Sequence, residues 1–157
     1  MIITNTDFYL IGLETRTDNK SEMTGQGEIP KMWQRIFQEG VQAKIQNLSG
    51  QEMYAVYSNY ESDENGKYDY FVGYKVKDLN AVPTGLVGKK VLSGKYKEFE
   101  TARGPIYQVI GELWMKIWKM TSQDLGGKRA FKTDYEVYGA EAADPNKAVV
   151  RVCLGLL

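Results

Sequence analysis

The chain repeats itself. Met32-Trp33-Gln34-Arg35-Ile36-Phe37 is answered by Leu113-Trp114-Met115-Lys116-Ile117-Trp118, with Trp33 and Trp114 at an offset of 81. Tyr54-Ala55-Val56-Tyr57 and Tyr135-Glu136-Val137-Tyr138 stand at the same offset of 81, and Phe71-Val72-Gly73-Tyr74 and Cys153-Leu154-Gly155-Leu156 at 82. Self-similarity at one long period marks a duplicated supersecondary unit that buries its apolar face only against its twin. In 157 residues there is room for one domain of two such units, over about 6–80 and 86–157.

The unit reads as strand–helix–strand–strand. Phe8 to Thr15 is a strand, and the polar stretch Arg16 to Gly27 is a flexible loop. Ile29, Met32, Trp33, Ile36 and Phe37 then recur at helical spacing, with Pro30 in the first turn and Gly40 as a stop. Met53 to Tyr60 and Tyr68 to Val76 are strands, and Asn65-Gly66 between them signals a two-residue hairpin turn. The second half repeats the order. A strand ends near Phe99, and Gly104-Pro105 opens a helix striped by Ile106, Val109, Ile110, Leu113, Trp114, Ile117 and Trp118. Gly126-Gly127 marks a loop. Asp134 to Tyr138 and Ala148 to Leu156 are strands, joined by a turn at Asp144-Pro145-Asn146. The expected fold class is α+β: the two units form one antiparallel sheet, with two helices on one face and a ligand cleft between the halves.

A tight turn at Asn65-Gly66 pairs Tyr57 with Tyr74. Strand alternation then places Ala55, Tyr57, Tyr68, Tyr70, Val72, Tyr74 and Val76 on one face. That face is the more continuously aromatic, so the helices are expected over it. Carried across the repeat, the same alternation puts Glu136 and Tyr138 there too. Glu136 occupies the position that is Ala55 in the first half. A carboxylate among apolar and aromatic neighbours costs several kcal/mol unless something pairs with it. Three readings follow: an ion pair with an Arg or Lys, a different register that leaves the side chain exposed, or an anchor for a cationic ligand whose charge favours the ionised carboxylate while Tyr and Trp rings add cation–π attraction.

Composition narrows the chemistry. With no histidine and one cysteine, Cys153, the chain has no imidazole-based catalysis or metal ligation, no internal disulfide and no thiolate metal site. Cys153 reads as a small apolar strand residue. Twenty basic residues balance twenty acidic ones, which argues against direct nucleic-acid binding. The N-terminus has no signal-peptide pattern and no run is long enough to span a membrane, so the expected location is the cytoplasm. The sequons at Asn19 and Asn47 are then accidental. Glu61-x-Asp63-x-Asn65-Gly66 resembles a calcium loop, but Val72 stands where its bidentate glutamate belongs. Gly25-x-Gly27 and Gly126-Gly127-Lys128-Arg129 lack the context of nucleotide or phosphate loops. No cofactor is expected.

These pieces, in this order, resemble the gyrase-inhibitor-like effector-binding domain, the ligand-binding half of some AraC-type and MerR-type regulators, which also occurs alone. The resemblance runs over about residues 6 to 157. It is carried by Ile11-Gly12-Leu13-Glu14-Thr15-Arg16-Thr17, Ile29-Pro30-x-x-Trp33-x-x-Ile36-Phe37, Tyr54 to Asp63, Asn65-Gly66-x-Tyr68-x-Tyr70-Phe71-Val72-Gly73, Gly94-x-Tyr96-x-x-Phe99, Trp114-x-x-Ile117-Trp118 and Asp134 to Tyr138. It implies a duplicated fold with a cleft, small lipophilic and often cationic ligands, and an acidic cleft residue matching Glu136. Tyr57, Tyr74 and Trp33 match cleft aromatics, and Tyr70, Tyr138 and Trp114 join them as candidate ligand-binding residues. A helix-turn-helix domain has no room here, so a stand-alone binder is expected. Two alternatives remain. One is a hydrolase of reactive electrophiles, with Glu136 as base, Tyr57 or Tyr138 as acid, and Glu112 or Glu98 as a second carboxylate. The other is binding to a protein such as gyrase or a regulator, for which no residue gives a specific sign.

Overall fold

The computed structural model describes residues 1–157. Its elements, in chain order, are β1 (Ile2–Asn5), β2 (Phe8–Asp18), α1 (Asn19–Met23), α2 (Ile29–Gln38), α3 (Val41–Lys44), β3 (Leu48–Ser58) and β4 (Lys67–Val76). There follow β5 (Val87–Val91), β6 (Gly94–Glu100), α4 (Ile106–Trp118), α5 (Ser122–Leu125), β7 (Arg129–Tyr138), a 3-10 turn at Ala140–Ala142 and β8 (Arg151–Leu156). All eight strands form one antiparallel sheet in the order β1-β6-β8-β7-β3-β4-β2-β5.

The duplication is visible in that order. The unit β2-α2-β3-β4 and its twin β6-α4-β7-β8 meet along β3 and β7, and the strands run outward from this seam in the same succession on both sides. Ala55 lies directly opposite Glu136 across the seam, with Tyr54 facing Val137 and Val56 facing Tyr135. Ala55 and Glu136 are repeat mates, so the approximate two-fold axis relating the halves passes between these two residues.

The third match of the repeat has a packing cause. A Cβ on Gly73 would lie 2.3 Å from the carbonyl oxygen of Ile11, and one on Gly155 would lie 2.3 Å from that of Thr133. In each half the neighbouring strand crosses too closely for any side chain.

One sheet face carries the two long helices. Met32 and Ile36 of α2 pack with Ile11, Leu13, Ala55, Tyr68, Tyr70, Val72, Tyr74 and Val76. Leu113, Trp114 and Ile117 of α4 pack with Val152, Leu154 and Leu156. The opposite face needs no helix, because the sheet curls over it. Leu10, Tyr54, Val56, Phe71, Val91, Tyr96, Tyr135, Val137 and Cys153 form a second core there, with Ile3 and Phe8 against it.

Several expectations are corrected. The stretch Arg16 to Gly27 is not merely a loop: β2 runs to Asp18, whose carboxylate accepts from the Ser21 amide at 2.7 Å to start α1. Three short helices, the first strand and β5 go beyond the expected elements. Asn65-Gly66 does not form a two-residue turn. Strand β3 ends at Ser58, Asn59 adopts φ 50°, and an eight-residue loop, 59–66, leads to Lys67. The register is therefore Tyr57 opposite Tyr70 and Met53 opposite Tyr74, four residues from the tight-turn pairing. Four is even, so every side chain keeps the face expected for it.

Candidate functional site

Helices α2 and α4 stand apart over the seam, and the sheet between them is the floor of a cavity of about 300 Å³. Tyr57, Tyr68, Tyr70, Glu136 and Tyr138 rise from the floor. Trp33 comes from α2 and Trp114 from α4. These two tryptophans are repeat mates, and both turn their indole N–H inward. That of Trp33 donates to the Tyr70 hydroxyl at 2.8 Å, and that of Trp114 to Glu136 Oε2 at 2.7 Å.

Glu136 is 1% exposed. Its Oε2 accepts from Trp114 and from the Tyr57 hydroxyl, both at 2.7 Å, and its Oε1 accepts from the Tyr138 hydroxyl at 2.6 Å. No lysine or arginine pairs with it. Burial pushes its pKa above the ordinary carboxylate value, and the bonds from Tyr138, Trp114 and Tyr57 pull it back. The same burial, with the carboxylate alongside, holds the Tyr57 and Tyr138 hydroxyls well above the usual phenol value, so they remain donors.

The rings around the carboxylate meet edge to face. Tyr57 lies 5.2 Å from both Tyr70 and Trp114, and Trp33 lies 4.8 Å from Tyr138. An aromatic box with one unneutralised carboxylate attracts a cation through both ring faces and charge.

A second acid, Asp134, is fully buried but neutralised. Its Oδ2 accepts from Arg129 at 2.9 Å and from Tyr60 at 2.5 Å, and its Oδ1 from the Gly155 amide at 2.8 Å. Arg129 and Tyr60 line one side of the cavity. Glu22 lines the α1 side, where its carboxylate accepts from the amides of Glu28 and Ile29 at 2.8 and 3.1 Å and so caps α2. Glu136 is the lining acid with neither a cation nor a helix end to hold.

Six of the seven expected binding residues thus meet at one cavity: Glu136, Tyr57, Trp33, Tyr70, Tyr138 and Trp114. Tyr74 does not. It is 4% exposed in the core of the first half, opposite Met53 rather than Tyr57. The candidate second acids of a hydrolase are also elsewhere. Glu112 is exposed and bonded to Gln108 on α4, and Glu98 pairs with Arg151. Tyr68, Tyr107, Met115, Trp118 and Arg129 line the cavity without having been expected as binding residues. Tyr68 shared the alternation that marks Tyr70, Trp118 belongs to the same stripe as Trp114, and Tyr107 and Met115 follow a second helical stripe beside it.

The model of the integron-associated effector binding protein family, Cass2, matches residues 1–152. The chain belongs to this family. The effector-binding proteins of the gyrase-inhibitor-like type are accordingly its relatives, as the residue pattern implies. The protein YobU of Bacillus subtilis (strain 168), a candidate transcriptional regulator by its name, is 31% identical over 146 residues, 92% of this chain and 89% of YobU. Among solved structures, the integron cassette protein VCH_CASS2 of Vibrio cholerae is 28% identical with a TM-score of 0.78, covering 100% of this chain and 95% of that one. SAV2435 bound to tetraphenylphosphonium shares the fold with a TM-score of 0.78 at 17% identity, covering 100% of this chain and 93% of that one. The family is described by effector binding, not by a reaction. No group of three His, Cys, Asp or Glu side chains is placed to hold a metal, and no helix is long and apolar enough to cross a membrane.

Proposed function

We propose that this effector-binding protein takes up lipophilic cations in the cleft between its halves. Glu136 is the counter-charge, and Tyr57, Tyr70, Tyr138, Trp33 and Trp114 are the aromatic walls. The observation that carries the reading is a carboxylate 1% exposed at the floor of an aromatic cavity, held by three neutral donors and no cation. Folding pays the desolvation cost of that charge before any ligand arrives, so an entering cation meets a pre-oriented, poorly screened partner. The neighbour SAV2435 with its bound tetraphenylphosphonium supports the ligand class, and YobU supports a role connected with transcriptional regulation.

The test is titration of tetraphenylphosphonium and of neutral triphenylphosphine oxide, followed by quenching of the fluorescence of Trp33, Trp114 and Trp118, the chain's three tryptophans, all of which line the cavity. Saturable quenching by the cation, at least about tenfold tighter than by the neutral compound, is expected from one desolvated charge pair. Equal affinities would remove charge from the account.

A further inference from the structure

Gly111 lies inside α4, one turn from Tyr107 and from Met115, and all three line the cavity. Glycine weakens a helix interior more than any residue except proline, so its presence calls for a cause. At Gly12, Gly73 and Gly155 the cause is contact, since a Cβ would lie 2.0, 2.3 and 2.3 Å from a backbone oxygen of the adjacent strand. At Gly111 there is no such contact: a Cβ would meet nothing within 4 Å. Gly111 is itself solvent-exposed and lines the cavity, so it stands at the cavity's solvent-facing edge.

The repeat adds an independent observation. At the offset of 81, Gly111 corresponds to Pro30, which lines the same cavity from α2. Pro30 sits in the first turn of its helix, where the missing N–H is harmless, and it too is exposed. Both helices thus present, at the same repeat position, a residue with no freely extending side chain at an exposed edge of the cavity.

We infer that Gly111 is the specificity-determining position for ligand width. Its empty side-chain position admits cations bulky in three dimensions, such as tetraaryl cations, whereas slim cations do not need it. This rests on the cleft being the cation site.

The experiment compares wild type, Gly111→Ala and Gly111→Leu with two probes, tetraphenylphosphonium and benzyltrimethylammonium, and records each variant's melting temperature. Gly111→Leu is expected to weaken tetraphenylphosphonium at least about tenfold, and benzyltrimethylammonium less than about threefold, as a steric block at an entrance requires. Gly111→Ala is expected to bind both within about twofold and to melt about 2–4 °C higher, from the gain in helix propensity. Unchanged binding of the bulky probe by Gly111→Leu overturns the inference, as does equal loss of both probes. A lower melting temperature for Gly111→Ala also overturns it, because the glycine would then serve packing. If wild type binds neither probe, the cation reading itself falls, an outcome distinct from a selectivity that ignores residue 111.

Discussion

Replacing Glu136 by glutamine separates charge from shape. The amide keeps the length of the side chain and the rings stay in place. What is lost is one full charge, 1% exposed, beneath the cavity. At a separation of about 4 Å a unit charge pair is worth about 1 kcal/mol if water screens it fully, and about 4 kcal/mol at an effective dielectric constant near 20. Wild type should therefore bind tetraphenylphosphonium about 5-fold to 10³-fold more tightly than Glu136→Gln. Cation–π attraction of roughly 0.5–2 kcal/mol per ring survives, so the variant keeps weak binding. The pH dependence carries a second signature. Burial raises the pKa of Glu136, so at pH values below its folded-state titration a cation must first ionise the acid. Wild-type affinity then rises with pH, by up to about tenfold per unit, and levels off above that titration, and each cation bound below it releases one proton. The glutamine variant should show no such rise. The assay is fluorescence titration across pH, with circular dichroism confirming the fold. A folded Glu136→Gln protein that binds the cation as tightly as wild type at neutral pH would refute the reasoning.

Two further outcomes follow from the neighbouring contacts. Tyr57→Phe removes one of two donors to Glu136 Oε2, so the carboxylate pKa should rise further and the pH profile of cation affinity should move to higher pH. Asp134→Asn leaves Arg129 buried without its counter-charge, and the denaturation midpoint should fall by the equivalent of about 3–5 kcal/mol; a change under about 1 kcal/mol would show that Tyr60 and the aromatic rings suffice to hold the guanidinium.

Much of this site was legible because its information is periodic. The face of Glu136 follows from strand alternation carried across the repeat, and it withstood a four-residue error in register because four is a multiple of the strand period. Trp33 and Trp114 emerged because the repeat and the helical stripe mark the same residues. Tyr74 stands apart from the cavity for a reason of opposite kind: which strand residues are opposite one another depends on loop length. Asn65-Gly66 sits within an eight-residue loop, with the Asn65 amide bonded to Asp63 Oδ1 at 2.9 Å, in place of closing a hairpin. Arg129 was set aside with its glycine loop because Phe131, at φ 50°, and a register shift between Arg129 and Asp134 interrupt the alternation that would tie the two together. A kink of this kind leaves no period to read. Tyr107 and Met115 are exposed, so the stripe that locates a core passes them by.

The position of Glu136 on the axis between the halves has a consequence for origins. A symmetric homodimer of one half-unit would place two copies of the same residue face to face there, about 5 Å apart across adjacent strands. Two glutamates so placed would repel, and one would have to stay protonated; two alanines would offer no charge at all. Joining the halves in one chain lets the two positions mutate independently, so that Ala55 makes room where Glu136 brings charge. A negative charge at the centre of a twofold site that shares no proton with a twin is open only to a fused chain or a heterodimer.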